Sequence, residues 1–204
     1  MAVMIDSICR HHHLFDWTNN LISYYIDNID VLIPGICYII SNLALGKHLD
    51  ARDAHDHHVS TSDRHDVYCK WIFIASINFP GYYEIQNTFC GMNLDIINTD
   101  NDSIEDILHI CKRPPNHSDS QLWTPVVDAS RVYFRLVNKH LMNINSRSIF
   151  LDFNVVGRSL YCSSNVNDNH AAWCLKTIHD SNDKMVLTEV TWPRSYESPV
   201  KLHG

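Results

Sequence analysis

Between residues 14 and 33, Leu14, Trp17, Leu21, Ile22, Tyr25, Ile29 and Leu32 recur at three- and four-residue spacing. That period predicts an amphipathic helix with one apolar stripe. Pro34-Gly35 punctuates it, and "ICYIISNLALGKHL" (36–49) reads as a second, more buried helix with Gly46 near its end. Residues 67–79 suit either a buried helix or a core strand, and Pro80-Gly81 marks a turn. In 102–113, Ser103 and Asp106 have capping-box spacing and Lys112-Arg113 complements the last turn, so a short helix is expected up to Pro114-Pro115. Residues 126–142 place Ala129, Val132, Tyr133, Leu136, Val137, His140 and Leu141 on one helical face. Ile149, Leu151, Phe153 and Val155 alternate as a half-buried strand turning near Gly157. A helix over 170–179 and a strand over 184–192 complete the pattern.

The expected fold is predominantly α-helical, an α+β protein with a minor antiparallel sheet in its C-terminal third. No internal repeat is apparent. The chain reads as a single compact domain, 1–204, with residues 1–13 and 193–204 as arms that dock on neighbouring chains.

Composition narrows the function. Sixteen Lys+Arg against 23 Asp+Glu give a net charge of −7 with no basic cluster, which argues against nucleic-acid binding. The phosphate-cradle, nucleophile-elbow and zincin motifs are absent. The opening "MAVMIDSICRHHHLF" carries Asp6 and no apolar run of signal-peptide length. The most apolar stretch, 31–45, falls short of the roughly 20 residues of a spanning helix, so no membrane partner is expected. The sequons at Asn101 and Asn116 then read as chance matches. An Asn-, Ile- and Asp-rich composition hints at an A/T-rich genome, as in many insect-infecting viruses.

The densest candidate chemistry is "DARDAHDHHVSTSDRHD", residues 50–66. His55, His57, His58 and His65 with Asp53 and Asp66 are suited to zinc or iron, and a metal-dependent hydrolase is one reading. A hydrated polar loop is the other. A metallo-β-lactamase-like H-x-H-x-D-H is not completed, so no metal or other cofactor is assigned. Cys174 with His170 and His179 is the tidiest local nucleophile set, yet a buried thiol on an amphipathic element explains it as well. No catalytic residue is assigned, and the chain is not read as an enzyme.

Seven cysteines, Cys9, Cys37, Cys69, Cys90, Cys111, Cys162 and Cys174, are dispersed without a C-x-x-C pair. They read either as reduced, buried thiols or as cross-links formed outside the reducing cell. Nine Tyr and five Trp include Tyr24-Tyr25 and Tyr82-Tyr83, and "FPGYYEIQNTF" and "SQLWTP" put large aromatics in loops. Tyr and Trp anchor protein contacts, so self-association is plausible.

In length, expected helical content, dispersed cysteines and viral composition the chain resembles an occlusion-body matrix protein, a polyhedrin, most like those of insect nudiviruses. The resemblance implies a protein that crystallises around virions in the infected cell, in the nucleus, and dissolves in an alkaline gut. Its partners would be itself and virions. Above roughly pH 8.5 exposed Cys ionise and above about 10 Tyr follow, which makes Tyr24, Tyr25, Tyr82 and Tyr83 the candidate switch. The remaining alternative is a small viral protein that binds one host partner.

Overall fold

A computed structural model describes residues 32, 35–52, 57–97, 109–144, 149–154, 159–164, 169–181 and 184–192. Among them, strands dominate: β1 (Tyr38–Asn42), β2 (His48–Asp50), β3 (Ser60–Ser62), β4 (Trp71–Ala75), β5 (Tyr83–Asn87), β6 (Asn93–Ile97) and β7 (His109–Arg113). Then come β8 (Leu122–Val127), β9 (Phe134–Asn138), helix α1 (Lys139–Ile144), β10 (Phe150–Asn154), β11 (Ser159–Ser163), β12 (Trp173–Ser181) and β13 (Lys184–Glu189).

The pairing closes on itself. β1 pairs with β4, β4 with β5, β5 with β8, β8 with β9, β9 with β12, and β12 returns to β1, all antiparallel. These six strands form a barrel without a free edge, which removes the unpaired backbone that an open sheet exposes. The hairpins β2–β3, β6–β7 and β10–β11 stand beside it. They meet one another through Tyr161 opposite His109 and His58 opposite Cys111. β13 extends the edge of β12.

The chain therefore repeats one four-strand unit three times: β1–β4, β5–β8 and β9–β12. Each unit begins "YIISN", "YEIQN" or "FRLVN". The leading aromatic of each, Tyr38, Tyr83 or Phe134, lies opposite Trp71, Trp123 or Trp173 across a strand pair. Every one of these Trp is fully buried, and each indole Nε1–H donates at 3.0 Å to a carbonyl on the unit's second strand: Leu49, Leu94 and Leu151. A buried Trp removes on the order of 200 Å² from water, worth about 5 kcal/mol before entropic costs.

The Asn that ends each first strand clasps the unit before it. Asn87 Nδ2 donates to the Tyr68 carbonyl at 2.8 Å, Asn138 to Ser120 at 2.7 Å, and Asn42 to His170 at 2.6 Å, which closes the circle. The same Asn side chains cap the turn that follows, accepting from the amides of Ala44, Phe89 and His140. Gly46 and Gly91 end the first two turns at φ +66° and +67°, a left-handed geometry that glycine adopts without strain. In the third unit α1 stands in that place.

This architecture overturns the predominantly helical expectation. The stretch 36–49 is β1, a turn and β2; 126–142 is the end of β8, a turn, β9 and the start of α1; 170–179 is a single 3-10 turn followed by β12, so Cys174, His170 and His179 share no helix. Residues 109–113, expected as the end of a helix, are β7. Apolar residues on either side of a tight turn mimicked a three- and four-residue period. The five residues of β1 are all buried, so the alternation that betrays a half-exposed strand was missing. The late strands did fall where expected, as β10–β11 and β13. The expectation of no internal repeat is likewise corrected, by the recurring aromatic-x-aliphatic-x-Asn, Leu-Asp and Trp positions. The helical stripe of 14–33 and both terminal arms lie outside the described residues, apart from Leu32.

Candidate functional site

The three Asn clasps create three equivalent seams, each between the 3-10 turn of one unit and the first turn of the next. In the first seam, Asp66 caps the 3-10 turn Val67–Cys69, accepting from the Tyr68 amide at 3.1 Å. Its other oxygen binds Arg52 Nη2 in a short ion pair, and Asp50 Oδ2 lies 3.7 Å from the same guanidinium nitrogen. The Arg52 guanidinium sits 5.1 Å from the centre of the Tyr68 ring, within cation–π range.

Phe89 reaches this group from the second unit. Its ring centre is 4.6 Å from that of Tyr68, with the planes tilted by 59°. Asn87 fixes both rings, donating to the carbonyls of Tyr68 and Lys70 while accepting from the amides of Phe89 and Cys90. Phe89 is 59% exposed, Asp66 40% and Arg52 31%. An aromatic face thus lies open to solvent beside a carboxylate and a guanidinium held in fixed geometry. Such a set can accept a ligand with an apolar face and hydroxyl-bearing edges.

The matching positions differ elsewhere. The second seam carries Ser120 and His140, and the third carries His170 and Ala44.

Beneath the second unit lies a buried polar network. Asn93 donates to Glu84 at 2.7 Å and to Gln121 at 3.2 Å, and Gln121 Nε2 donates to Asp95 at 3.0 Å. Its exposed end is His117, whose Nδ1 lies 2.5 Å from Glu84. Because these buried groups satisfy one another, they lock the β6–β7 hairpin onto the barrel.

The residues expected as metal ligands are dispersed. Asp53 and His55 lie outside the described residues. His57 and His58 are exposed, and the His58 carbonyl accepts from Lys112 Nζ. Asp66 pairs with Arg52, while the His65 ring lies 4.5 Å from that of His48. Among the described residues no group of three His, Cys, Asp or Glu could hold a metal ion. His48 itself is buried with Nδ1 2.7 Å from Ser41 Oγ. Burial first, then the neighbouring His65 and Lys176, lower its pKa to about 4 against the opposing pull of Asp63.

No disulfide joins the described cysteines; Cys9 lies outside them. Burial pushes the Cys69 and Cys111 thiols up to about 11 and raises those of Cys162 and Cys174 as well. Tyr82 is raised by burial and then by Asp119, and Tyr83 is buried. Tyr24 and Tyr25 lie outside the described residues. No helix among those residues is long and apolar enough to cross a membrane.

No protein-family profile and no curated protein sequence matches the chain. Solved structures do. The designed three-fold symmetric protein ThreeFoil aligns with 68% of this chain and 96% of its own, at TM-score 0.54 and 22% identity. The BEL beta-trefoil aligns with 74% of this chain and 97% of its own, at TM-score 0.57 and 12% identity. The fold is a β-trefoil. The Macrolepiota procera ricin B-like lectin, solved in complex with lactose, is similar over 70% of this chain and 96% of its own, at TM-score 0.54 and 16% identity. At these identities the likeness concerns the trefoil alone.

Sequence reasoning reached parts of the first-seam site. Asp66 stood among the metal candidates, and Phe89 ends the aromatic loop "FPGYYEIQNTF". Arg52 and Tyr68 were missed. The signal that finds Tyr68 is the trefoil repeat: once Asn42, Asn87 and Asn138 are aligned, Tyr68 and Phe89 stand out as the one Tyr–Phe pair among Ser120 with His140 and His170 with Ala44.

Proposed function

We propose that this protein is a carbohydrate-binding protein, a non-catalytic trefoil that attaches to a glycosylated partner such as a host surface. The observation that carries the reading is the exposed Phe89 ring against the half-buried Tyr68 ring, flanked by Arg52 and Asp66. A pyranose presents an apolar C–H face that stacks on an aromatic ring and hydroxyls that pair with charged, planar groups. The lactose-bound Macrolepiota procera lectin supports the reading by fold. The direct test is binding of the purified protein to an immobilised glycan panel. Binding that Phe89→Ala and Tyr68→Ala both abolish in folded protein would sustain the reading, and absence of binding to every saccharide would end it.

A self-assembling occlusion-body protein is the second reading. It is favoured by the exposed Ile77 and Phe79 in the turn between β4 and β5. Dense particles that sediment at neutral pH and dissolve only under alkali would support it. Protein that stays soluble and monomeric from pH 7 to pH 11 would count against it.

A further inference from the structure

The charges at the first seam restrict what it can hold. Arg52 is the cation there, and two carboxylates already compete for it: Asp66 in direct contact and Asp50 at 3.7 Å. A carboxylate- or sulfate-bearing sugar can reach only the guanidinium N–H groups that Asp66 leaves open, because Asp66 is held in place by the Tyr68 amide as well. Its acidic group would then lie beside two carboxylates, in a chain whose net charge is already −7. Hydroxyl groups meet no such repulsion. They can donate to the outward carboxylate lone pairs and accept from the unused guanidinium N–H groups without breaking the pair.

The number of sites follows from a separate observation. The seams match in their hydrogen bonding, because Asn42, Asn87 and Asn138 make the same clasp and the same cap in each, with α1 in place of the glycine-ended turn after Asn138. Stacking is strongest on a large aromatic ring that is open to solvent, and the matching positions of the other seams supply Ser120 with His140 and His170 with Ala44. Each thus has one half-buried imidazole where the first seam has Tyr68 against the exposed Phe89. Among the described residues neither of these seams places a Tyr or Phe pair beside a carboxylate and a guanidinium: the second holds a single ring, Phe79, against Lys139, which pairs with Asp119, and Asp168, the third seam's counterpart of Asp66, lies outside the described residues.

Resting on the carbohydrate-binding reading, we propose that the trefoil binds one uncharged saccharide per chain, at the seam of Arg52, Asp66, Tyr68 and Phe89. Such a protein captures a glycan without cross-linking glycan-bearing surfaces unless it oligomerises.

The experiment is calorimetric titration of the full chain with lactose and with the neutral, sialylated and sulfated members of a glycan panel. The expected result is binding to neutral members at a stoichiometry of one. Affinity should fall at least about tenfold in Phe89→Ala, the loss of one stacking anchor. Asp66→Asn keeps the amide cap through its side-chain oxygen while releasing Arg52. It should therefore shift the preference several-fold, on the order of one charge–charge contact, toward acidic members. A wild-type preference for acidic glycans, a stoichiometry above one, or undiminished binding in folded Phe89→Ala would each overturn this proposal while leaving a carbohydrate-binding protein. Absence of binding to every saccharide would instead remove the underlying function.

Discussion

At the barrel wall one arrangement occurs three times, as Trp71, Trp123 and Trp173, each bonded to a Leu carbonyl at 3.0 Å. At the seams the same backbone carries three different pairs: Tyr68 with Phe89, Ser120 with His140, and His170 with Ala44. The wall residues bond to the backbone and pack against one another, so a change in one unit damages the whole barrel. The seam side chains face outward on turns already secured by Asn, so they can vary unit by unit. Fold and recognition are thereby separated within single units, at positions only a few residues apart.

The comparison is most severely tested at the wall. Trp71→Ala, Trp123→Ala and Trp173→Ala should each cost about 3–5 kcal/mol in urea unfolding. Three similar values are expected, and one far smaller would show that the units are not energetically equivalent. Next are the clasps. Asn42→Ala, Asn87→Ala and Asn138→Ala each remove a side-chain donor to a backbone carbonyl and a turn cap, for an expected loss of about 2–3 kcal/mol. Asn87→Ala should also weaken saccharide binding, because that residue places both rings.

A smaller, pH-dependent effect distinguishes the first unit. His48 opens its second strand, where the other units have Asn93 and Phe150. With a folded-state pKa near 4, below the roughly 6.5 of an unfolded His, the native state holds fewer protons. Stability is therefore fully present above about pH 6.5 and is lost as the pH falls toward 4, by on the order of 2 kcal/mol. His48→Asn, which copies the second unit, should flatten thermal stability across that window. An unchanged slope would assign the acid sensitivity to other groups. At the rim, Phe89→Ala should change unfolding free energy by less than about 0.5 kcal/mol while removing ligand binding.

How much of this could be read from the chain depends on which residues one considers. β10 showed as a strand because Leu151 and Phe153 alternate with Asp152 and Asn154 along the chain, even though nearly all of it is buried, and β13 showed through its strand-forming residues. β1 was taken for a helix because burial on both faces erased the period of two, as it does over Trp173–Leu175 at the start of β12, and short turns between strands restored a false helical one. The trefoil repeat was present as YIISN, YEIQN and FRLVN, followed by Leu-Asp and then Trp. Unequal insertions hid it: six extra residues between Asn138 and Leu151 in the third unit, where α1 lies, and seven between Leu94 and Trp123 in the second. The His/Asp stretch drew attention by composition, yet its described residues gather into no group that could hold a metal ion. Its one contribution to the seam, Asp66, works there as a cap and an ion-pair partner.

The circular clasp also bears on how the molecule is made. Asn42 meets the carbonyl of His170, a partner 128 residues further along the chain. While the ribosome is still adding the third unit, the first two expose the barrel edges of β1 and β8, which await β12 and β9. Emerging at roughly 5–20 residues per second, the nascent chain spends seconds in that open state. The window for aggregation during synthesis closes only when β12 arrives, so a premature stop before residue 173 would release an open ring rather than a smaller working protein.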